Sequence, residues 1–410
     1  MPEKHIVLKH CDFVDPDDMS TYLDRDGFRA LERAKETMTE QEVIEQVKAS
    51  GLRGRGGAGF PCGLKWELAR NAENGQKFVI CNADEGEVGT FKDRYILEND
   101  PFTLIEGIVI ASYAIGAQQA YIYLRQEYHY LLDRLRNAIS QVAERGFLGT
   151  LKIDIVEGAG AYICGEESAL MESIEGKRGE ARYRPPFPPE KGLFGKPTII
   201  NNVETLMNIP PIISNGPDWF NVIGTDGSKG TKVFSVSGDV GKPGVYELVL
   251  GSELRELVVD LAQARDTQAV QVGGAAGRLI PESMLDTPLT YDHVLGSGAV
   301  TVLDHTRDII DVVHQTIQFF AEQSCGKCAP CREGTEAMLE ILGRMVKGDG
   351  VVEDIDALAD LSEVMTLSSL CGLGTSAPTS VLDSLEYFAH EYEIRIEQSV
   401  FLRGVRAVRG

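Results

Sequence analysis

The chain has 410 residues, enough for two or three domains with ample core, and its 43% hydrophobic and 25% charged residues are ordinary for a soluble protein. The 40 basic and 62 acidic side chains leave a net charge of −22, which argues against a nucleic-acid or anionic-membrane binder, because phosphate backbones need a basic footprint. Eight cysteines are too few for a disulfide framework and indicate a reducing, cytoplasmic setting. No basic, then apolar, leader opens the chain, and its most apolar stretch, 108–117, is about half the length a spanning helix needs, so membrane association is expected only through partners.

Residues 1–50 read as an N-terminal helical segment: an irregular opening, then one helix from about Asp26 to Ser50, with Thr39 and Glu42 spaced as a capping box. The loop Gly51-Leu-Arg-Gly-Arg-Gly-Gly-Ala-Gly-Phe60 follows, with five glycines, Arg53 and Arg55, and Pro61 stands where the next helix begins. Such a loop opening a helix is a phosphate cradle, to which Lys65 adds a point charge; the competing reading is a flexible hinge. Gly54, Gly56 and Gly59 satisfy G-x-G-x-x-G, but the preceding segment is helical, so this is not a standard Rossmann fingerprint.

A buried strand at 77–82 runs into the acidic turn Ala83-Asp-Glu-Gly-Glu-Val-Gly89. Asn82, Asp84, Glu85 and Glu87 are thereby placed at a strand's C-terminal end, where open α/β sheets bind ligands; a merely solvated turn is the alternative. Helices at 101–117 and 127–144 alternate with strands at 119–124 and 151–157, the pattern of a parallel sheet with helical crossovers. A second strand-to-helix turn spans Tyr162 to Leu170, and a proline-rich stretch, 182–189, leads to a loop, 195–205, with paired Asn201 and Asn202. From about 227 the texture changes to short strands (231–237, 244–249, 270–271) around a helix at 253–263, a small α+β module. Residues 306–410 read as four helices, 307–323, 333–347, 354–367 and 379–399, forming a bundle. The expected domains are thus 1–50, 51–226, 227–305 and 306–410.

Cys325, Cys328 and Cys331 are spaced C-x2-C-x2-C between the first two bundle helices, and Cys371 follows the third. Three clustered thiols and one distant thiol make the ligand set of a [4Fe-4S] centre. Structural zinc is the rival, though its ligands usually come as two separated pairs, and buried free cysteine is the bland reading. Pro330 stiffens the loop, Gly372 and Gly374 permit close backbone approach, and Lys327 and Arg332 are cations beside the thiols. Cys62, Cys81 and Cys164 fit no metal spacing and read as packing residues.

These segments together resemble one family. The glycine loop with Gly63-Leu-Lys65, Cys81-Asn-Ala-Asp-Glu85, Tyr162-Ile-Cys-Gly-Glu-Glu167, Gly195-Lys-Pro, Asn201-Asn-Val-Glu-Thr205 and Glu322-Gln-Ser-Cys-Gly-Lys-Cys-Ala-Pro-Cys-Arg-Glu-Gly334 look like the NADH-binding flavoprotein subunit of respiratory complex I. Diaphorase subunits of NAD-reducing hydrogenases, formate dehydrogenases and electron-bifurcating complexes belong to the same family. The resemblance implies a Rossmann-like FMN/NADH domain, a ubiquitin-like module and a C-terminal four-helix bundle. It implies FMN at Gly54, Arg55, Gly56, Gly57, Lys65, Asn82, Asp84, Glu85, Tyr162, Gly165, Glu166, Ile200, Asn201, Asn202 and Thr205. It implies NADH at Phe60, Glu87, Tyr162, Glu167 and Phe187, and the cluster on the four cysteines. The chemistry is the flavin's, so no acid–base residue is expected; Glu85 and Glu87 are the nearest candidates, and Glu167 or Glu87 would repel the 2′-phosphate of NADPH. Gly86-Glu-Val-Gly89 replaces the Glu-Pro-Gly common in complex I, and Ser369-Leu-Cys-Gly-Leu-Gly-Thr-Ser-Ala-Pro378 leans the same way, toward the hydrogenase, formate dehydrogenase and bifurcating members. The NADH-binding component of complex I, an NADH-quinone oxidoreductase, is the alternative, and a non-catalytic cluster scaffold is the reading from another class. A thioredoxin-like [2Fe-2S] subunit and a further iron–sulfur or catalytic subunit are the partners implied.

Overall fold

The computed structural model describes residues 5–73 and 75–397. Four strands, β1 (Phe78–Ala83), β2 (Gln119–Leu124), β3 (Lys152–Glu157) and β4 (Thr198–Asn202), form a parallel sheet in the order β3-β2-β1-β4. β1 is apolar except for Asn82 because both its faces are covered. Val79, Cys81 and Ala83 join a core with helix Pro101–Ile115. Phe78 and Ile80 face the other way, into a core shared with the C-terminal helices. Helix Pro101–Ile115 is buried almost all round; Asp100 accepts from the Thr103 amide at 3.1 Å to start it, and Gly116, at φ +75°, ends it in the left-handed conformation.

Several local expectations give way to tertiary context. Residues 198–202 form a strand, not a loop. Thr198, Ile199 and Ile200 are β-branched strand formers, but the run is short and ends in two asparagines; parallel pairing of Phe78 with Thr198 through Asn82 with Asn202 carries it to five residues. The single helix expected over 26–50 is two, Arg29–Thr37 and Glu40–Ala49, because Phe28 takes φ +63° before the first and Thr39 caps the second with the foreseen capping box. A helix at Lys92–Asn99 was not foreseen at all.

β5 (Thr231–Gly238), β6 (Gly244–Val249), β7 (Thr267–Val272), β8 (Arg278–Pro281) and β9 (Ala299–Asp304) form a second sheet in the order β6-β5-β9-β7-β8. β5 and β9 are parallel and the other pairs antiparallel, the ubiquitin-like arrangement, over a core that holds Leu254, Leu257 and Val258 of the helix at 254–261. β8 and β9 were missed by sequence reasoning. The buried Glu247 carboxylate of β6 accepts the amides of Ile6, Val7 and Leu8 at 2.9–3.1 Å, tying the start of the described chain to this sheet.

Helices Ile309–Gln323, Ala329–Val346, Glu353–Ser368 and Thr379–Tyr387, with the short turn Gly372–Ser376, make the C-terminal bundle. Two expectations need correction. The second helix begins at Ala329 rather than Glu333, with Pro330 in its first turn, so Cys331 sits on the helix and not in the loop. The last expected helix, 379–399, breaks at Phe388 and resumes over 389–397, while 398 and 399 lie outside the described residues.

Candidate active site and thiol cradle

In the order β3-β2-β1-β4 the chain turns back between β1 and β4, and a crevice opens where such a sheet switches direction, beyond the strand C-termini. It is a cavity of about 440 Å³. Asn82 from the end of β1 and Asn202 from the end of β4 reach it, with Gly56 and Gly57 of the glycine loop across from them. A Cβ on Gly56 would lie 3.1 Å from Asn202 Cβ, and Gly57 has φ +122°, so glycine is what lets this loop close on the crevice. Asn82 Nδ2 donates to the Gly165 carbonyl at 2.9 Å and Asn82 Oδ1 accepts from the Asp84 amide at 3.1 Å, which binds the two strand-to-helix turns together.

The acidic turn supplies three carboxylates with different work. Glu85 accepts from the amides of Asp93 and Arg94 and from Tyr128 Oη, all at 2.9 Å, and so caps the helix Lys92–Asn99. Burial pushes Asp84 up to about 7. Burial also pushes Glu87 up to about 7, although Tyr162 Oη donates to it at 2.8 Å and the Ala276 amide at 3.4 Å. Glu87 thus joins the crevice to the tip of the second sheet, whose Gly273, Ala276, Gly296 and Ser297 complete the rim. No sequence signal placed those loops here beyond their glycines.

Lys92 and Asp93 line the crevice as well and belong to a buried ionic network. Lys92 Nζ contacts Asp93 at 2.7 Å, Glu204 at 3.0 Å and Asn202 Oδ1 at 3.3 Å. Lys232 Nζ donates to Glu204 at 2.6 Å, and Asn202 Nδ2 to Asp93 at 2.6 Å. Both polar ends of Asn202 are therefore held by the network, which fixes the amide at the crevice. Burial raises the cost of charge on Glu204, but the two lysines outweigh it and hold the carboxyl below its usual range; burial draws Lys232 down to about 7. Lys92, Asp93 and Lys232 were not singled out from sequence, because charged side chains normally read as solvated surface.

The four cysteines meet in a second cavity. Cys325, Cys328, Cys331 and Cys371 all line it, with Ser324, Lys327 and Leu370. Burial, followed by the charges of the other three thiols against the help of Ser324 Oγ, pushes Cys331 up to about 11. Four thiolates crowd together only around a cationic centre, so the donor set fits an iron–sulfur cluster. Ile163 and Leu373 line both the crevice and the cradle.

Two family models match: the Nuo51 FMN-binding domain over residues 47–211 and the NADH-ubiquinone oxidoreductase-F iron-sulfur binding region over residues 311–395. A subunit of an NADP-reducing hydrogenase from Solidesulfovibrio fructosivorans is 42% identical, the match covering 96% of this chain and 83% of that one. The chain belongs to the family of NADH-binding FMN and iron–sulfur subunits. A subunit of an NADH-quinone oxidoreductase from Rhizobium meliloti is 43% identical over 96% of this chain and 98% of its own. The alpha subunit of an NAD-reducing hydrogenase from Cupriavidus necator is 44% identical over 87% of this chain but only 61% of its own. A chain of an NAD+-reducing [NiFe]-hydrogenase, solved in its H2-reduced state, superposes with a TM-score of 0.88 at 40% identity, covering 96% of this chain and 67% of that one. The chain is accordingly a flavin-dependent NADH oxidoreductase subunit, with FMN and a [4Fe-4S] cluster as its cofactors. No described helix is long and apolar enough to cross a membrane.

The residues expected to bind FMN or NADH fall into three groups. Gly56, Gly57, Asn82, Asp84, Glu85, Glu87, Tyr162, Gly165, Glu166 and Asn202 all line the crevice. Lys65, Phe60 and Glu167 form an adjoining patch: Lys65 Nζ is 3.3 Å from Glu167, 3.0 Å from the Ile200 carbonyl and 5.9 Å from the Phe60 ring centroid. Arg184 joins this patch to the crevice by pairing with Glu166 and, at 3.2 Å, with Glu167. Phe60 and Phe187 are 44% and 49% exposed, large for aromatic rings. Gly54, Arg55, Asn201 and Thr205 stand behind the wall. Asn201 Oδ1 accepts from Trp66 Nε1 at 2.9 Å, and Thr205 Oγ1 from the Arg55 amide at 2.8 Å. The Arg55 guanidinium is buried on Tyr291 Oη and the Lys229 carbonyl, while Arg53 binds the Gly59 and Gly227 carbonyls. Both arginines thus anchor the glycine loop to the second sheet, a contact that local sequence cannot encode.

Proposed function

We propose that the crevice holds FMN against the end of the parallel sheet, that NADH enters over the exposed Phe60 and Phe187 side, and that electrons leave through the thiol cradle. The observation that carries this reading is the adjacency of the crevice and the four-thiol cavity, which share two wall residues. Bound there, the flavin supplies conversion between a two-electron hydride and the single electrons a cluster accepts.

The chain's own residues bind, orient and exclude. Gly56 and Gly57 offer backbone at close range, and Asn82 and Asn202 present amides whose orientation is fixed by Gly165, Asp93 and Lys92. Lys65 supplies a cation at the adjoining patch, and Glu167 pairs with both it and Arg184. Phe60 and Phe187 are surfaces for stacking planar rings. Cys325, Cys328, Cys331 and Cys371 are the cluster ligands. No residue is assigned a general acid or base role.

Every relative named above is a subunit or chain of a larger oxidoreductase, and this chain is one component of such an assembly. Its partners are a thioredoxin-like [2Fe-2S] subunit and a further iron–sulfur or catalytic subunit. The hydrogenase relatives support a hydrogenase or related complex as host; the 43% identity to a quinone oxidoreductase subunit supports complex I as the second reading. The cytoplasmic side, with any membrane contact made by partners, suits the absence of a spanning helix among the described residues.

Anaerobic titration with NADH tests the core of this reading. Bleaching of the flavin band with a reduced [4Fe-4S] signal at low temperature is the expected result, and Cys371→Ser should abolish that signal while leaving the flavin. A protein that holds neither chromophore after reconstitution would refute it.

A further inference from the structure

Ile163 and Leu373 are the two residues that line both the crevice and the thiol cradle. They are 5% and 6% exposed and lie in one apolar core. Each residue therefore borders both the crevice and the cradle, so the two cavities share an aliphatic wall there. Neither side chain has an atom with which to hold a water molecule.

Both walls are fixed from the cluster side. Ile163 rides on the turn Tyr162–Gly165. The Tyr162 amide donates to Gln323 Oε1 at 3.1 Å, and Gln323 ends the helix that leads into Cys325. The Tyr162 ring meets Phe319 of that helix edge-on at 4.9 Å, and the Gly165 carbonyl is held by Asn82. Leu373 stands on the short turn that begins directly after the ligand Cys371. That turn cannot drift outward or inward freely: a Cβ on Gly374 would come within 2.9 Å of Cys331 Cβ and 2.6 Å of Ser369 Oγ.

We infer that Ile163 and Leu373 are positioning residues that form the dry partition through which single electrons pass between the crevice and the cluster, and that they keep crevice water from the cluster. This rests on the FMN and cluster placement proposed above. In each transfer one electron leaves the reduced flavin and one arrives on the oxidised cluster. No bond in the partition forms or breaks, and protons released on the flavin side leave to the water of the crevice. The cluster gains one negative charge, which water stabilises better than hydrocarbon does. A dry partition therefore keeps the cluster's potential low as well as bridging the gap with packed atoms.

The test uses the protein carrying both cofactors. Leu373→Ala is followed in stopped-flow, where the NADH-dependent bleaching of the flavin is the reference phase. The substitution should slow the following reduction of the cluster and raise the cluster's midpoint potential in an EPR-monitored titration. Leu373→Met, which refills the space with flexible hydrocarbon, should restore both. If Leu373→Ala cannot retain its cluster, Ile163→Ala, on the turn that carries no cluster-ligating cysteine, makes the same test. Wild-type transfer rate and wild-type potential in a variant that holds both chromophores would overturn the inference and leave the proposed function standing. A wild-type protein lacking either chromophore would instead remove the reading beneath it.

Discussion

Glu204→Gln is the sharpest probe of what holds the crevice together. Glu204 is fully buried and accepts from Lys232 Nζ at 2.6 Å and the Val233 amide at 2.8 Å, with Lys92 Nζ at 3.0 Å. Lys92 and Lys232 are themselves 1% and 0% exposed, so neither cation can turn to water when the carboxylate is neutralised. Asp93, 2.7 Å from Lys92, remains as a counter-charge, while Lys232 keeps only the Val233 carbonyl among its hydrogen bonds. Breaking one side of a buried pair removes about 3–5 kcal/mol; Lys92 keeps Asp93 and Lys232 is already drawn down to about 7, which puts this case toward the lower end. For a cooperative unit of about 200 residues that is a fall of roughly 10 °C in Tm. The assay is urea and thermal unfolding of the flavin-loaded protein, with the m value checked for constancy. Adding Lys232→Met should recover about 1–3 kcal/mol, because the hydrocarbon removes the stranded charge. The sign of the pH effect is fixed as well. Glu204 is held below the usual carboxylate range, so its contribution is complete above that range and fades only as pH falls through its lowered value. A loss under about 1 kcal/mol for Glu204→Gln, or a second substitution that deepens it, would refute the reasoning.

Asp84 and Glu87, both pushed up to about 7 by burial, act in the opposite sense. Their folded values exceed their unfolded ones, so the stability they lend is complete below the unfolded carboxyl range and is lost as pH rises through about 7. The flavin-free protein should lose Tm over that window, and Asp84→Asn with Glu87→Gln should flatten the profile; an unchanged slope would contradict it. Gly107→Ala should destabilise by about 1–3 kcal/mol, since the added methyl would sit 2.4 Å from the Leu206 carbonyl oxygen; denaturant midpoints read this out, and a neutral result would mean the helix can slide. Glu167 is already balanced by Lys65 and Arg184, whereas Glu87 faces no cation among its hydrogen-bond partners. Glu87→Gln should therefore raise the NADPH to NADH ratio of kcat/KM about fivefold, the effect of removing roughly 1 kcal/mol of repulsion, and more than Glu167→Gln does. The reverse order would reassign the 2′-phosphate contact.

The chain itself determined the parts whose signal is local. The C-x2-C-x2-C run and Cys371 name their metal chemistry by thiol spacing, whatever fold surrounds them. Alternation of apolar strands at 78–83, 119–124 and 152–157 with helices makes a parallel sheet, because strands buried on both faces need helical crossovers. The acidic turn after β1 was likewise legible as crevice lining. Only the tertiary structure decided what depends on meetings between distant segments. β4 exists as a strand because β1 lies beside it, and the second sheet's glycine tips reach the crevice because Glu87 holds one of them. Arg53 and Arg55 also anchor the glycine loop to the second sheet, since Tyr291, Gly227 and Lys229 offer them acceptors that sequence proximity does not reveal. The buried Lys92–Glu204–Lys232 network was invisible for the same reason. A charged residue's role is set by how much water the fold leaves it, and burial is a property of the packed chain rather than of any window of sequence.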